Sequence, residues 1–126
     1  MGYRFSFENL DLWNDAKQFT VNIYEITKSF PRNEEFGLSS QIRRAAVSIC
    51  SNLAEGTARK STKEQSHFSQ IAYASLTECL CQLIIASELG YIHKIELTSL
   101  RGEVEKISNK INALRKYQQS KSFNFK

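Results

Sequence analysis

The sequence predicts an all-α protein, an up-down-up-down antiparallel four-helix bundle. Three observations favour this fold: apolar residues recur at steps of three and four in four segments, the connections are short, and no segment reads as a convincing strand. Short connections force neighbouring helices to run antiparallel. A chain of 126 residues can build one hydrophobic core. We therefore expect one domain over residues 1–118, followed by a basic, flexible tail over 119–126.

Helix signals set the boundaries of the four segments. Ser61 and Glu64 form a capping box, in which hydroxyl and carboxylate satisfy each other's free amides, and Gly90 is placed to end a helix in a left-handed conformation. Gly56 is expected to end the helix before it. The predicted helices are 8–28, 39–57, 62–89 and 94–117.

The second predicted helix carries two stripes. Its apolar stripe would face a core and comprises Leu38, Ile42, Ala45, Ala46, Ile49 and Leu53. A neighbouring polar stripe follows the same steps and comprises Gln41, Arg44, Ser48, Asn52 and Glu55. This polar stripe is either an ordinary solvated face or a surface that meets something other than water. If Glu55 forms a partly buried pair with an arginine, either from the preceding turns of the helix or from a neighbouring subunit, its replacement by alanine should cost about 3–5 kcal/mol.

The run QIRRAAVSICSNLAEGTAR, with Trp13 upstream, FPRNEEFGL between them and FSQIAYASLTECL downstream, resembles a known family. These are the four-helix-bundle proteins first met as products of intervening sequences in bacterial 23S ribosomal RNA genes, and the resemblance extends from about Leu10 to about Tyr91. Cys50 and Leu53 depart from the family pattern. The positions that carry it are Arg43, Arg44, Ser48, Asn52, Glu55, Gly56 and Arg59.

That resemblance implies a bacterial, ring-forming protein associated with nucleic acid. Family members are small homo-oligomers, typically pentamers, without an established enzymatic activity, and a related bundle is the accessory protein of diversity-generating reverse transcriptases. The residues also point to assembly, because several apolar side chains lie off the core stripes and such patches usually mark an interface. They are Phe36, Val47, Tyr73, Ile84, Ile85, Tyr91 and Ile92.

Positive charge is concentrated in two parts of the chain. Residues 39–63 hold five basic side chains and one acidic one, and residues 106–126 hold six basic side chains and no acidic one. In an up-down-up-down bundle, the second connection lies at the same end as the finish of the fourth helix and the N-terminal arm. The candidate nucleic-acid-binding residues are Arg43, Arg44, Arg59, Lys60, Lys63, Arg115, Lys116 and Lys121.

Aromatic residues accompany this charge, a mixture suited to phosphate attraction and base stacking. They are Tyr3, Phe5 and Phe7 on the arm and Tyr117, Phe123 and Phe125 near the C-terminus. Two functions remain open. The chain binds RNA, DNA or a nucleic-acid enzyme through this surface, or it is a structural protein-interaction scaffold whose cations offset helix dipoles and serve solubility.

Catalysis, metals and membranes are not expected. Glu64 and His67 have the Glu-x-x-His spacing of di-iron bundles, but a second copy of that motif is missing. Cys79 and Cys81 would point about 200° apart on a helix, which suits packing better than a shared metal. No uninterrupted apolar run approaches the roughly 20 residues of a membrane span, and no signal-peptide pattern is present. The sequence thus predicts a cytoplasmic protein without catalytic residues, cofactor or metal.

Overall fold

The computed structural model describes the backbone of residues 2–124 and the side chains of residues 2–121. All regular elements in this part of the chain are helical, which confirms the all-α fold with four helices and antiparallel neighbours. The helices are α1 (Asp11–Thr27), α2 (Leu38–Thr57), α3 (Thr62–Glu88) and α4 (Lys94–Asn124), with short 3-10 turns at Ser6–Asn9 and Arg32–Glu34.

Two helix boundaries differ from the predicted ones by more than one residue. The arm turns before α1 begins, because the Glu8 carboxylate accepts a hydrogen bond from the Phe5 amide at 2.8 Å and closes a separate 3-10 turn. At the other terminus α4 continues to Asn124, so residues 119–124 are helical where we predicted the start of a flexible tail. A buried hydrogen bond between Ser69 Oγ and Gln118 Oε1 at 3.0 Å fastens this extension to α3. Residues 125 and 126, which belong to the predicted tail, lie outside the described residues.

The core lies along the axis between the four helices. Its largest fully buried side chains come from every helix and include Phe19, Ile23, Ile42, Ile49, Leu53, Leu76, Leu83, Ile107 and Ile111. The apolar stripe predicted for the second helix is confirmed, except that Leu38 is only half-buried. Three residues predicted to lie off the core belong to it or pack against it. Ile92 is buried, and Tyr73 and Tyr91 are half-buried against the core, Tyr91 on Phe30 with ring centroids 5.4 Å apart.

Glycines and caps explain how the helices end. Gly90 has φ of +80° immediately after α3, as predicted, and Ser61 Oγ accepts a hydrogen bond from the Glu64 amide at 3.1 Å at the start of α3. Gly56 does not end α2, which runs to Thr57. Instead, Gly56 is buried where α2 and α3 approach closely. An added Cβ at Gly56 would lie only 3.4 Å from the Cβ of Phe68.

By length and composition, α3 is apolar enough to cross a membrane, with a mean hydropathy of 1.2 over its most apolar window. The sequence pattern had not suggested such a segment. The core helix of a bundle passes the same test, and here the buried residues of α3 face the other helices. They include Ala72, Leu76, Cys79, Leu83 and Ala86.

Candidate nucleic-acid interface

The connection between α2 and α3, together with the first turn of α3, presents three of the predicted cations at one end of the bundle. Lys60 and Lys63 are exposed. Arg59 is held more firmly, because its Nη2 lies 2.9 Å from Glu55 Oε2 and its guanidinium lies 4.7 Å from the centroid of the Phe68 ring. This region therefore has one positioned cation and two exposed ones. We call the end of the bundle that contains it, with the arm and the finish of α4, the basic end.

Helix α4 brings further cations to the basic end. Lys116 is exposed, and Lys121 Nζ lies 5.4 Å from the centroid of the exposed Tyr117 ring. Arg115 is partly buried, and its Nε has no hydrogen-bond partner among the described residues. The structure thus brings Arg115, Lys116 and Lys121 to the same end as the α2–α3 connection, as the topology predicted.

Two other cations on α4, Lys106 and Lys110, are compensated. Lys110 Nζ bonds to the carboxylates of Asp11 and Asp15, and Lys106 Nζ lies 3.4 Å from Asp15 Oδ1. The hydrogen bond from Lys110 lowers the pKa of Asp15. The bonds to Asp11 and Asp15 raise the pKa of Lys110. Both shifts favour the charged forms, so this cluster joins α1 to α4 and contributes little free positive charge.

Arg43 and Arg44 do not join the basic end. Arg43 faces α1, where its Nε donates to Thr27 Oγ1 at 2.8 Å and its guanidinium lies 4.8 Å from the Tyr24 ring centroid. Arg44 points about 100° away from Arg43 and is exposed beside a cavity of about 430 Å³ between α2 and α3. Arg43 and Arg59 are also separated by about 24 Å of helix rise. The predicted set of eight cations is therefore divided among three surfaces.

The polar stripe of α2 lies against α3 as well as solvent. Ser48 Oγ and Ser75 Oγ are 2.8 Å apart, and Asn52 Nδ2 donates to the Ser48 carbonyl at 2.8 Å. Nearer the start of α2, Gln82 Nε2 donates to Gln41 Oε1 at 3.4 Å. The stripe is thus a polar seam between two helices, and Ser48 and Asn52 have structural roles within the subunit.

Glu55 lies at the solvent edge of this seam. Its partner is Arg59, four residues further along the chain and just beyond the end of α2, and the side chains of Glu55 and Arg59 are 53% and 41% exposed. An exposed pair of this type contributes far less than a buried one. Within the subunit, the expectation of a partly buried Glu55 is therefore wrong.

The arm carries an aromatic series that reaches the bundle. Tyr3 and Phe5 have ring centroids 5.4 Å apart, Phe5 and Phe7 6.2 Å, and Phe7 and Trp13 4.8 Å. Lys17 Nζ lies 5.3 Å from the Trp13 ring centroid. We predicted the three arm aromatics as candidates but missed Trp13 and Lys17. Their spacing of four residues on one helix was the available signal. Phe123 and Phe125, the other predicted aromatics, have no described side chains.

The cysteines differ in their environments. Cys79 is buried and Cys81 is exposed, as expected for two helix positions that point apart. Within the subunit, the interpretation of both cysteines as packing residues therefore holds for Cys79 and is wrong for Cys81. Burial raises the pKa of the Cys79 thiol to about 12. In the part of the chain that the structure describes, no group of three His, Cys, Asp or Glu side chains is placed to hold a metal ion.

Together, the fold and this surface define a class: a small all-α protein of four antiparallel helices with cations collected at one end. The model of the 23S rRNA-intervening sequence protein family matches residues 8–113, and the chain belongs to that family. Its fold is similar to the crystal structure of a protein with unknown function from the S23 ribosomal protein family of Bacteroides thetaiotaomicron. The TM-score is 0.75 at 22% identity, over 83% of this chain and 98% of the other. No match was found among curated proteins.

Proposed function

We propose that this chain is a non-catalytic, cytoplasmic protein that assembles into a homo-oligomeric ring, a pentamer, and binds nucleic acid through its basic end. A ribonucleoprotein, or a nucleic-acid enzyme with its nucleic acid bound, would present the same phosphates. The observation that carries the proposal is the contrast between two groups of lysines. Lys60, Lys63 and Lys116 are exposed with no carboxylate within 4.0 Å among the described side chains, whereas Lys106 and Lys110 are paired.

The geometry favours contacts to phosphates over contacts to base edges. The free cations come from a connection and from the finish of α4, and they do not line one helix face that could enter a groove. Phosphate contacts position a protein on nucleic acid without reading its sequence. We therefore expect binding without sequence preference. In a ring, several copies of the basic end would act together and raise affinity well above that of one subunit.

Assembly is supported by family membership and by exposed apolar side chains. Phe36 is 93% exposed, Ile85 46% and Val47 41%, and surfaces of this kind commonly mark contacts between subunits. Light scattering at micromolar concentration should give five times the subunit mass of 14.5 kDa. A monomer at that concentration would contradict the assembly part of the proposal.

Binding is tested by measuring affinity for random RNA at several salt concentrations. We expect log affinity to fall linearly with log salt, because bound phosphates release counterions. The variant Lys60→Gln/Lys63→Gln/Lys116→Gln should bind about 10-fold to 100-fold more weakly at low salt, and its salt slope should be smaller by about two to three.

The matched control removes the same charge from the opposite end of the bundle. Lys28→Gln/Arg32→Gln/Lys94→Gln changes three exposed cations there and should leave RNA affinity within about twofold of wild type. Equal losses in both variants would show that net charge alone attracts RNA. Absence of binding at low salt would favour the scaffold function, for which exposed Phe36 and Ile95 at the opposite end are the candidate contacts.

A further inference from the structure

The N-terminal arm exposes two aromatic rings in a fixed position. Tyr3 is 87% exposed and Phe5 62%. Both rings belong to the aromatic series that continues through Phe7 to Trp13, and Trp13 packs against the hydrophobic core. The exposed rings are therefore held against the bundle by aromatic contacts, and the turn at Ser6–Asn9 shortens the arm between them and α1.

Cations flank these rings. Arg4 lies between Tyr3 and Phe5 in the chain, and its Nη2 lies 3.4 Å from the Glu8 carbonyl oxygen. Lys17 covers the inner end of the series at Trp13. The 3-10 turn contacts α2 as well as α1, which places the arm at the basic end. Exposed rings and free cations thus occupy one end of the molecule.

We propose that the arm is a binding site for unpaired nucleotides, in which bases stack on Tyr3 and Phe5 while Arg4 and the lysines of the basic end neutralise phosphates. This inference rests on the proposed function and gives it a preferred ligand. Base faces are available for stacking on aromatic side chains in single strands, whereas in a duplex they are covered by neighbouring base pairs. The arm should therefore make the protein prefer single strands over duplex of the same sequence.

The surroundings of the two rings favour a nucleic acid over a second copy of the chain. A contact between subunits is built around contiguous apolar side chains with few charges at its centre. Tyr3 and Phe5 instead lie on either side of Arg4 in the chain and share one end of the molecule with the exposed lysines of the basic end. The edge-to-face arrangement of the two rings, with planes at 90°, also leaves ring faces open for a base.

The test compares single strands of about 12 nucleotides with the duplexes of the same sequence, a length that fits common single-strand sites. Tyr3→Ala/Phe5→Ala should weaken single-strand binding about 10-fold or more and leave duplex binding within about twofold. Its salt slope should be unchanged, because no cation is removed. Tyr3→Phe/Phe5→Tyr, which keeps both rings, should bind single strands like wild type.

The matched control is Leu89→Ala/Ile95→Ala, which removes two exposed apolar side chains, 54% and 84% exposed, at the opposite end. It should not change the preference for single strands. Equal losses on single strands and duplex in the arm variant, or no loss on either, would overturn the site. A smaller oligomer in the arm variant would assign the rings to a subunit contact and overturn it too.

These outcomes separate the arm from the basic end as a whole. Wild-type protein that binds single strands and duplex equally, with a steep salt dependence, would refute the arm site and leave the proposed function standing. Failure to bind either probe at low salt would refute both. Loss of binding in the lysine variant combined with an unchanged arm variant would again refute only the arm site.

Discussion

At the end of the molecule where α1 passes into α2 and α3 into α4, one carboxylate ties the two connections together. Glu34 Oε2 accepts a hydrogen bond from the Tyr91 hydroxyl at 2.9 Å, and Glu34 Oε1 accepts one from the Leu38 amide at 3.1 Å. Phe30 packs beneath Tyr91. At the basic end, by contrast, the α2–α3 connection leaves Lys60 and Lys63 in solvent.

The polar groups at the two ends therefore have different roles, in stability at the Glu34 end and in binding at the basic end. Groups that satisfy each other within the chain contribute to the free energy of unfolding, whereas solvated cations contribute little to it and remain available to a partner. We therefore expect substitutions at the Glu34 end to change stability and substitutions at the basic end to change binding. A substitution of Gly37 is expected to change stability, because an added Cβ would lie 2.8 Å from Glu34 Oε1.

The largest expected effect is on stability at the Glu34 end. Phe30 is 8% exposed and packs on Tyr91, so Phe30→Ala should lower the free energy of unfolding by about 3 kcal/mol or more through lost burial and a cavity. Urea unfolding measures this change. The folded variant should keep the RNA affinity of wild type, because no cation at the basic end has moved.

Ile95→Ala is the control for Phe30→Ala. Ile95 is also a large apolar residue at this end but is 84% exposed, so its loss should change the free energy of unfolding by less than about 0.5 kcal/mol. A reduced RNA affinity in folded Phe30→Ala would contradict the separation of the two ends.

Local patterns in the sequence were sufficient for the helices themselves. The three-four spacing of Ile42, Ile49 and Leu53 identified the buried face of α2, and Gly90 and Ser61 marked the ends of α3 because caps depend on neighbouring residues alone. These features need no knowledge of what packs where. Periodicity of this kind therefore predicted the fold but left the surface ambiguous.

The candidate site depended on partners distant in sequence, which the pattern could not supply. Arg43 and Arg44 are adjacent in the chain, yet a step of about 100° turns one toward α1 and the other toward the α2–α3 groove. The compensation of Lys110 by Asp15 joins residues at opposite ends of the chain. The extension of α4 likewise depends on its contact with Ser69.

The second-largest expected effect is on RNA binding. It shows whether Lys106 and Lys110 fail to attract nucleic acid because carboxylates neutralise them or because of where they lie on the bundle. Asp15→Asn leaves Lys106 without its described partner and Lys110 with Asp11 alone. We expect tighter RNA binding at low salt and a salt slope steeper by about one. Glu88→Gln removes one exposed negative charge at the opposite end and should change neither quantity. Equal gains in both variants would mean that net charge decides.

Asp15→Asn should also lower stability in a pH-dependent way. Because Lys110 lowers the pKa of Asp15, the ionised carboxylate stabilises the fold above the ordinary pKa of 3.8, and this contribution is lost as the pH falls through the lowered pKa. The raised pKa of Lys110 has the opposite sign: its contribution is present below the ordinary value of 10.5 and is lost at higher pH. Wild type and variant should thus differ most near neutral pH and converge in acid, as followed by urea unfolding.

The smallest expected effect concerns Glu55, which lies at the basic end and is charged but paired. Since Glu55 and Arg59 are 53% and 41% exposed, Glu55→Ala should lower the free energy of unfolding by only about 0.3–0.5 kcal/mol. Arg59 would keep its contact with the Phe68 ring and remain positioned as a cation. Urea unfolding at two protein concentrations measures the change. A loss of about 3–5 kcal/mol that varies with concentration would mean that a neighbouring subunit buries the Glu55–Arg59 pair, and Arg59 would then belong to assembly and not to nucleic-acid binding.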